Sequence, residues 1–218
     1  MKKCWKKILI SGIGIVGIYT IMQAAAKKKT DDKFLNNNNP YLKTDSPARE
    51  KSGIYENIIK PVLDRALSFV GLIVLFPFFL IIGAAVWIDD PGPIFFTQKR
   101  IGKDKNFFMC HKFRTMKMST PHDVPTHQLK NSEQYITKVG RILRKTSLDE
   151  LPQIWDIFRG KMSIIGPRPA LWNQDDLVEE RDKYGANNVK PGLTGWAQIN
   201  GRDELEIPVK AKLDGQYV

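Results

Sequence analysis

"ALSFVGLIVLFPFFLIIGAAVWI", residues 66–88, decides how the rest of the chain is read. It carries no charge over about 23 residues, and as a straight helix it would reach ~35 Å, enough for the hydrocarbon core of a bilayer. Its apolar character on every face disfavours a helix lying flat in the interface. Pro77 sits in its middle, where the ring removes a backbone donor and crowds the preceding turn, so a kink or break is predicted there. Two readings stay open. One is a kinked spanning helix; the other enters the membrane, turns at Phe76-Pro77 and leaves on the same side.

Working outward, a second apolar run, "ILISGIGIVGIYTIMQAAA", ends the first 26 residues, behind Lys2, Lys3, Lys6 and Lys7. It reads as a retained anchor, with a cleaved signal peptide ending at Ala26 as the alternative. Residues 27–57 are polar and Asn-rich and read as a linker. Lysines flank the first run on both sides, so charge leaves its orientation open. Residues 58–90 form the membrane-inserted, proline-broken helix, and 91–218 a compact basic domain. A chain of 218 residues holds one such domain plus an appendage. Lys and Arg outnumber Asp and Glu by 34 to 23, which favours anionic partners: nucleic acid, phosphorylated metabolites or an anionic membrane. Two cysteines suggest neither a disulfide framework nor a Cys-rich metal site.

Within the basic domain, "PIFFTQKRI" and "NFFMCHKFRTM" are β-favouring and are split by "GKDK", which predicts a hairpin. Their interleaved cations and rings fit a nucleic-acid surface, or simply a sheet with one apolar side formed by Phe95, Phe107 and Phe113. "DDLVEERDKY" reads as an exposed, charge-laced helix, and "VKPGLTGWAQINGR" as a loop.

"TSLDELPQIWDIF", residues 146–158, places Asp149 beside Glu150 in a chain of formal charge +11. Ser147-x-x-Glu150 matches a capping box, and Pro152 suits a helix start. Capping and catalysis are compatible. Arg141 and Arg144 lie upstream and Arg168 downstream in "SIIGPRP"; together they suit a bidentate diphosphate clamp beside an ionised aspartate. A carboxylate that approaches phosphate meets like-charge repulsion, which a divalent ion, Mg²⁺ above all, would relieve.

In order and spacing, "KPVLDR", "LFPFF", "DPGPIFFTQKRIGKDKNFFMCHKFRTM", "RILRKTSLDELPQIWDIFRGKMSIIGPRP" and "VKPGLTGWAQINGR" closely resemble the bacterial sugar transferase family. These are the monotopic polyprenyl-phosphate phosphoglycosyl transferases that begin exopolysaccharide, O-antigen and glycoprotein glycan assembly. The resemblance runs from about residue 58 to residue 218. It implies a membrane-associated α/β fold: a re-entrant helix bent near Pro77, then a small cytoplasmic domain with a short β-hairpin and several helices. It implies transfer of a sugar 1-phosphate from a UDP-sugar to undecaprenyl or another polyprenyl phosphate, with release of UMP. Asp149 would be the nucleophile and Glu150 its partner acid, both available to Mg²⁺. Arg144 and Arg168, with Lys112 and Arg114, would contact substrate phosphates. It further implies membrane lipid as a partner, no nucleic acid, and a short segment beyond Val218. Two other classes remain, a membrane-tethered nucleic-acid-binding module and an exported interaction protein. The identity of the sugar and the oligomeric state are not legible.

Overall fold

The computed structural model describes residues 32–33, 35–37, 39–43, 53–120, 132–201 and 204–218. The anchor or signal-like segment 1–26 lies outside them, as does much of the linker. Where the linker is described it is not wholly detached. Tyr41 sets its ring edge-on to Phe107 at 6.0 Å and donates its hydroxyl to the Trp172 carbonyl at 3.1 Å.

A π-helical turn, Tyr55–Ile59, leads into α1, Lys60–Asp89. Pro61 in the first turn of α1 wastes no intrahelical bond, and beyond Asp90 the run Pro91-Gly92-Pro93 prevents continuation. Helix α1 runs through Pro77 without interruption. One missing N–H is a local loss. Phe79, Ile82 and Val86 beyond it are held in a core with Phe113 and Leu143.

Helix α1 lies along the domain rather than projecting from it. Near its start the Asp64 carboxylate accepts from Ser163 Oγ at 2.7 Å and from the Ile164 amide at 3.2 Å. Past its middle, Phe79 meets Phe113 with ring centroids 5.6 Å apart. At its end Asp89 accepts from the Val139 amide at 2.7 Å, and Asp90 from the Met118 amide at 2.9 Å. Its other faces stay open: Ile73, Val74 and Ile81 are 60–67% exposed. The helix is long and apolar enough to cross a membrane.

The predicted hairpin is present. Strand β1, Phe95–Ile101, pairs antiparallel with β2, Phe107–Phe113, across the turn Lys103–Lys105, in a register running from Phe95↔Phe113 to Ile101↔Phe107. Alternation along β2 serves two cores. Phe113 joins the α1 core, while Phe108 and Cys110 pack with Ile157 and Met162. Phe107 and Phe108 are buried, and Lys99 caps the Phe107 and Trp172 rings at 4.5 and 4.3 Å. Phe107, Phe108 and Phe113 are core, whereas Phe95, Phe96 and Trp172 are 44–51% exposed.

Helices α2, Lys138–Thr146, and α3, Gln153–Phe158, follow and flank the turn that carries the acids. Strand β3, Ser163–Ile165, then pairs in parallel with β4, Gly192–Thr194, so the stretch read as a loop holds a short strand and a helical turn, α5, Trp196–Ile199. Between them α4, Asp175–Asp182, has its charged face outward but buries Leu177, Val178 and Arg181. Arg181 forms a buried ion pair with Asp214 of the last helix, α6, Ile207–Tyr217, with Nε and Nη2 at 2.8 and 2.6 Å from one oxygen.

Candidate active site

Ser147 ends α2 in the left-handed region (φ 57°, ψ 16°), an uncommon conformation for a residue with a Cβ. It opens the 3-10 turn Leu148–Glu150 and makes no side-chain cap there. The capping box expected from Ser147-x-x-Glu150 is therefore absent, because the Glu150 carboxylate is taken elsewhere. Lys112 Nζ stands 2.8 Å from its Oε1, and Arg168 reaches it with two nitrogens, Nη2 to Oε1 at 2.7 Å and Nη1 to Oε2 at 3.1 Å. Burial opposes ionisation of Glu150, but the Arg168 hydrogen bonds and the Lys112 and Arg168 charges outweigh it and hold the carboxyl down to about 2.

Arg168 arrives at this point because of the glycines around it. Gly166 donates to the Thr194 carbonyl at 2.9 Å, and Gly192 donates to the Pro167 carbonyl at 2.8 Å. A Cβ on Gly166 would meet the Lys190 carbonyl at 2.5 Å, and one on Gly192 would meet Gly166 N at 2.1 Å, so neither site admits a side chain. The crossing of β3 with β4 fixes the Pro167-Arg168-Pro169 path.

Asp149 is half-buried and enters no ion pair among the described residues. Burial raises its carboxyl above the usual aspartate range; the Lys112 charge opposes this, Glu150 adds to it and Arg144 opposes it. Arg144 is held beside this group by its Nε, which donates to Thr115 Oγ1 at 2.9 Å. Burial lowers its guanidinium, and the Asp149 charge counteracts that. The pair is thus asymmetric. Glu150 binds cations as a fixed anion, and Asp149 retains an uncommitted oxygen.

Arg114 does not join them. It is buried, its Nε donates to the Pro93 carbonyl at 2.7 Å, and its two Nη atoms contact the carboxylate and carbonyl of Asp90. That corrects its expected place at the substrate phosphates, because its donors tie the end of α1 to the end of β2. Arg141 lies on the exposed side of α2.

A cleft beside the acids is lined by Ser147, Glu150, Thr194, Gln198 and Ile199. Gln198 Nε2 donates to the Leu193 carbonyl at 3.0 Å, while its Oε1 is buried without a partner among the described residues. A loop reading of 189–202 concealed this residue; its only signal was a carboxamide in a Gly-rich run. Also unforeseen is Asp156, which is 1% exposed and accepts from the His111 amide at 2.9 Å and meets His111 Nδ1 at 2.7 Å. This contact locks β2 to α3, on either side of the acid turn.

For Mg²⁺ the donors divide. No group of three or more candidate ligands occurs among the described residues, and both Glu150 oxygens already face cations. Asp149 alone fits a hard cation, which commonly takes one or two carboxylates and completes its shell with phosphate oxygens and water. The expectation that Glu150 is also a ligand does not fit this arrangement.

Residues 55–218 match the family model described as Bacterial sugar transferase, and the chain belongs to that family. It is 38% identical over 174 residues to the "UDP-glucose:undecaprenyl-phosphate glucose-1-phosphate transferase" of Escherichia coli K12, covering 77% of this chain and 37% of the relative. It is 39% identical over 149 residues to a protein of the same description from Xanthomonas campestris, covering 67% of this chain and 31% of the relative. Against the "Exopolysaccharide production protein ExoY" of Rhizobium meliloti the identity is 37% over 175 residues, covering 73% and 76%. The chain therefore spans 31–37% of the length of the first two relatives and most of the third.

Proposed function

We propose that this chain transfers a sugar 1-phosphate from a UDP-sugar to undecaprenyl or a related polyprenyl phosphate, at the cytoplasmic surface of a membrane. The observation that carries this reading is the division of labour in the dyad. Glu150 absorbs Lys112 and Arg168, while Asp149 beside it keeps a carboxylate outside any ion pair among the described residues. The two relatives described as UDP-glucose:undecaprenyl-phosphate transferases support the substrate classes.

In the first step an Asp149 Oδ attacks the β-phosphorus of the UDP-sugar. The bond from that phosphorus to the bridging oxygen breaks, and UMP leaves with the electron pair. In the second step an oxygen of the lipid phosphate attacks the phosphorus held on Asp149, which regenerates the carboxylate and yields a polyprenyl diphosphate-linked sugar. Both displacements use one cradle in turn, so donor and acceptor share the same positioning groups. Arg144 stands where negative charge gathers around Asp149, and the Arg168–Glu150–Lys112 cluster fixes the floor of the site. Mg²⁺, bound through Asp149 and substrate oxygens, would neutralise phosphate charge.

The membrane seat follows from α1. Both of its ends are joined to one domain, through Asp64 and Ser163 at the start and Asp89 and Val139 at the finish. Its exposed apolar side then enters a leaflet from the domain's own side. A lipid phosphate and a water-soluble nucleotide sugar can meet only at that boundary. The test is UMP release by membranes containing the chain, given undecaprenyl phosphate, Mg²⁺ and a panel of UDP-sugars. Asp149→Asn should abolish release, and normal turnover by that variant would remove Asp149 as nucleophile.

A further inference from the structure

Tyr41 precedes the stretch that matches the family model, residues 55–218, and falls in what reads as a linker. It is nonetheless only 9% exposed. Ordering a polar linker costs conformational entropy, so burial of one of its rings has to be offset by the contacts that ring makes.

Those contacts converge on one segment. The ring stands edge-on to Phe107 of β2 at 6.0 Å. The hydroxyl reaches the Trp172 carbonyl at 3.1 Å and also contacts the Asp175 carboxylate. Burial, and then the hydrogen bond and charge of Asp175, raise the phenol above its ordinary range, so the group stays a donor. Trp172 and Asp175 bracket the turn by which the chain, having passed Arg168, enters α4.

From Arg168 onward this segment is held by a series of donors. Arg100 Nη1 donates to the Pro169 carbonyl at 2.9 Å, and the Ile101 amide to the Ala170 carbonyl at 3.0 Å. Both come from β1, inside the matched domain. The next hold, at the Trp172 carbonyl, comes from Tyr41. On the other side of Arg168 the Gly192 amide holds the Pro167 carbonyl at 2.8 Å. The guanidinium thus leaves a backbone secured in front and behind. Its grip on both Glu150 oxygens depends on an angle as well as a distance, and slack in the segment that carries it would degrade that angle first.

We infer that Tyr41 is a positioning residue for the active site: its hydroxyl tethers the segment that follows Arg168 and so keeps the Arg168 guanidinium aligned on Glu150. A residue outside the matched stretch thereby belongs to the scaffold of the site. The inference rests on the proposed reaction for its rate measurement, and on nothing but the fold for its exchange measurement.

Tyr41→Phe tests this in the full chain, because it keeps the ring against Phe107 and removes only the hydroxyl. By hydrogen exchange and mass spectrometry, amides across residues 169–176 should exchange roughly two- to tenfold faster than in the wild type, the range set by one hydrogen bond, with α2 unchanged as the control. Unchanged exchange over 169–176, or an equal rise in α2, would overturn the inference. The kcat of UMP release should fall by a similar factor while KM for the UDP-sugar stays within about twofold, since Tyr41 acts only through the fork that shapes the floor of the site. Added to Arg168→Lys, the same change should lower the rate by less than about twofold, because no fork is left to align. A full further loss in that background would overturn the link to Arg168. Should the wild-type chain release no UMP from any UDP-sugar, the proposed reaction falls, and exchange over 169–176 alone decides the tether.

Discussion

Arg168 holds Glu150 with a two-pronged grip, Nη2 to Oε1 at 2.7 Å and Nη1 to Oε2 at 3.1 Å. A fork of this kind fixes an angle as well as a distance, which a lysine cannot do. Arg168→Lys should therefore keep the charge and lose the geometry. Charge-assisted hydrogen bonds contribute about 1.5–3 kcal/mol, so UMP release should fall roughly 10- to 100-fold. Initial rates on membranes check this, and a wild-type rate would mean that the fork is dispensable.

The two acids should separate on acidification. Asp149 is raised above the usual aspartate range, chiefly by burial, so its reactive anion is lost earlier than an ordinary aspartate's as the pH falls. Glu150 is shifted the other way, from 4.5 to about 2. A depressed folded-state value stabilises the fold fully above pH 4.5, and that stabilisation is lost progressively as the pH falls from 4.5 through about 2. The acid limb of the rate should thus lie above that of an ordinary aspartate, while Tm loses the Glu150 contribution gradually between pH 4.5 and about 2, which parallel rate and Tm profiles would reveal. Lys112→Met removes the charge that most opposes the rise at Asp149, and it should move the acid limb of the rate profile to higher pH.

Gly166→Ala should be damaging although no catalytic atom changes. Its Cβ would lie 2.5 Å from the Lys190 carbonyl and 2.9 Å from the Gly192 amide, and backbone cannot swing aside as a side-chain tip can. Overpacking of this kind costs about 1–3 kcal/mol, and the strand that delivers Arg168 would shift with it. A lowered Tm together with lowered UMP release is the expected result; unchanged values for both would show that the crossing relaxes freely.

Topology can be read with two introduced thiols. Ala66→Cys and Ile88→Cys are both at exposed positions, in a Cys4→Ser background. Cys110 should stay silent, being 1% exposed with its thiol pushed up by burial to about 12. A membrane-impermeant thiol reagent should label both positions from the same side. Labels from opposite sides would contradict the joining of both helix ends to one domain.

The legible parts of the chain were those where composition and spacing act locally. Alternating aromatic and basic residues announced β1 and β2, and adjacent acids among so many cations marked Asp149 and Glu150. What escaped depends on distant partners. Ser147 spells a cap, but Glu150 is outbid by Lys112 and Arg168, which are 38 and 18 residues away. Arg114 sits in the same motif as Lys112, yet the two face different parts of the protein, one at Asp90 and one at Glu150. Strands as short as Ser163–Ile165 and Gly192–Thr194 carry no periodicity of their own, so their parallel pairing is invisible without the glycine crossing. Pro77 names a lost hydrogen bond but not whether neighbouring packing compensates for it.

The double attachment of α1 also imposes an order on biogenesis. Asp90 finds Arg114 only 24 residues later in the chain, whereas Asp64 must wait for Ser163, 99 residues on. As the chain emerges from the ribosome, the far end of the helix can be secured first, and the near end is clasped only after the acid turn has been made. Closure of that late clasp coincides with arrival of the arginine that completes the site, so a chain stalled before Ser163 would have neither.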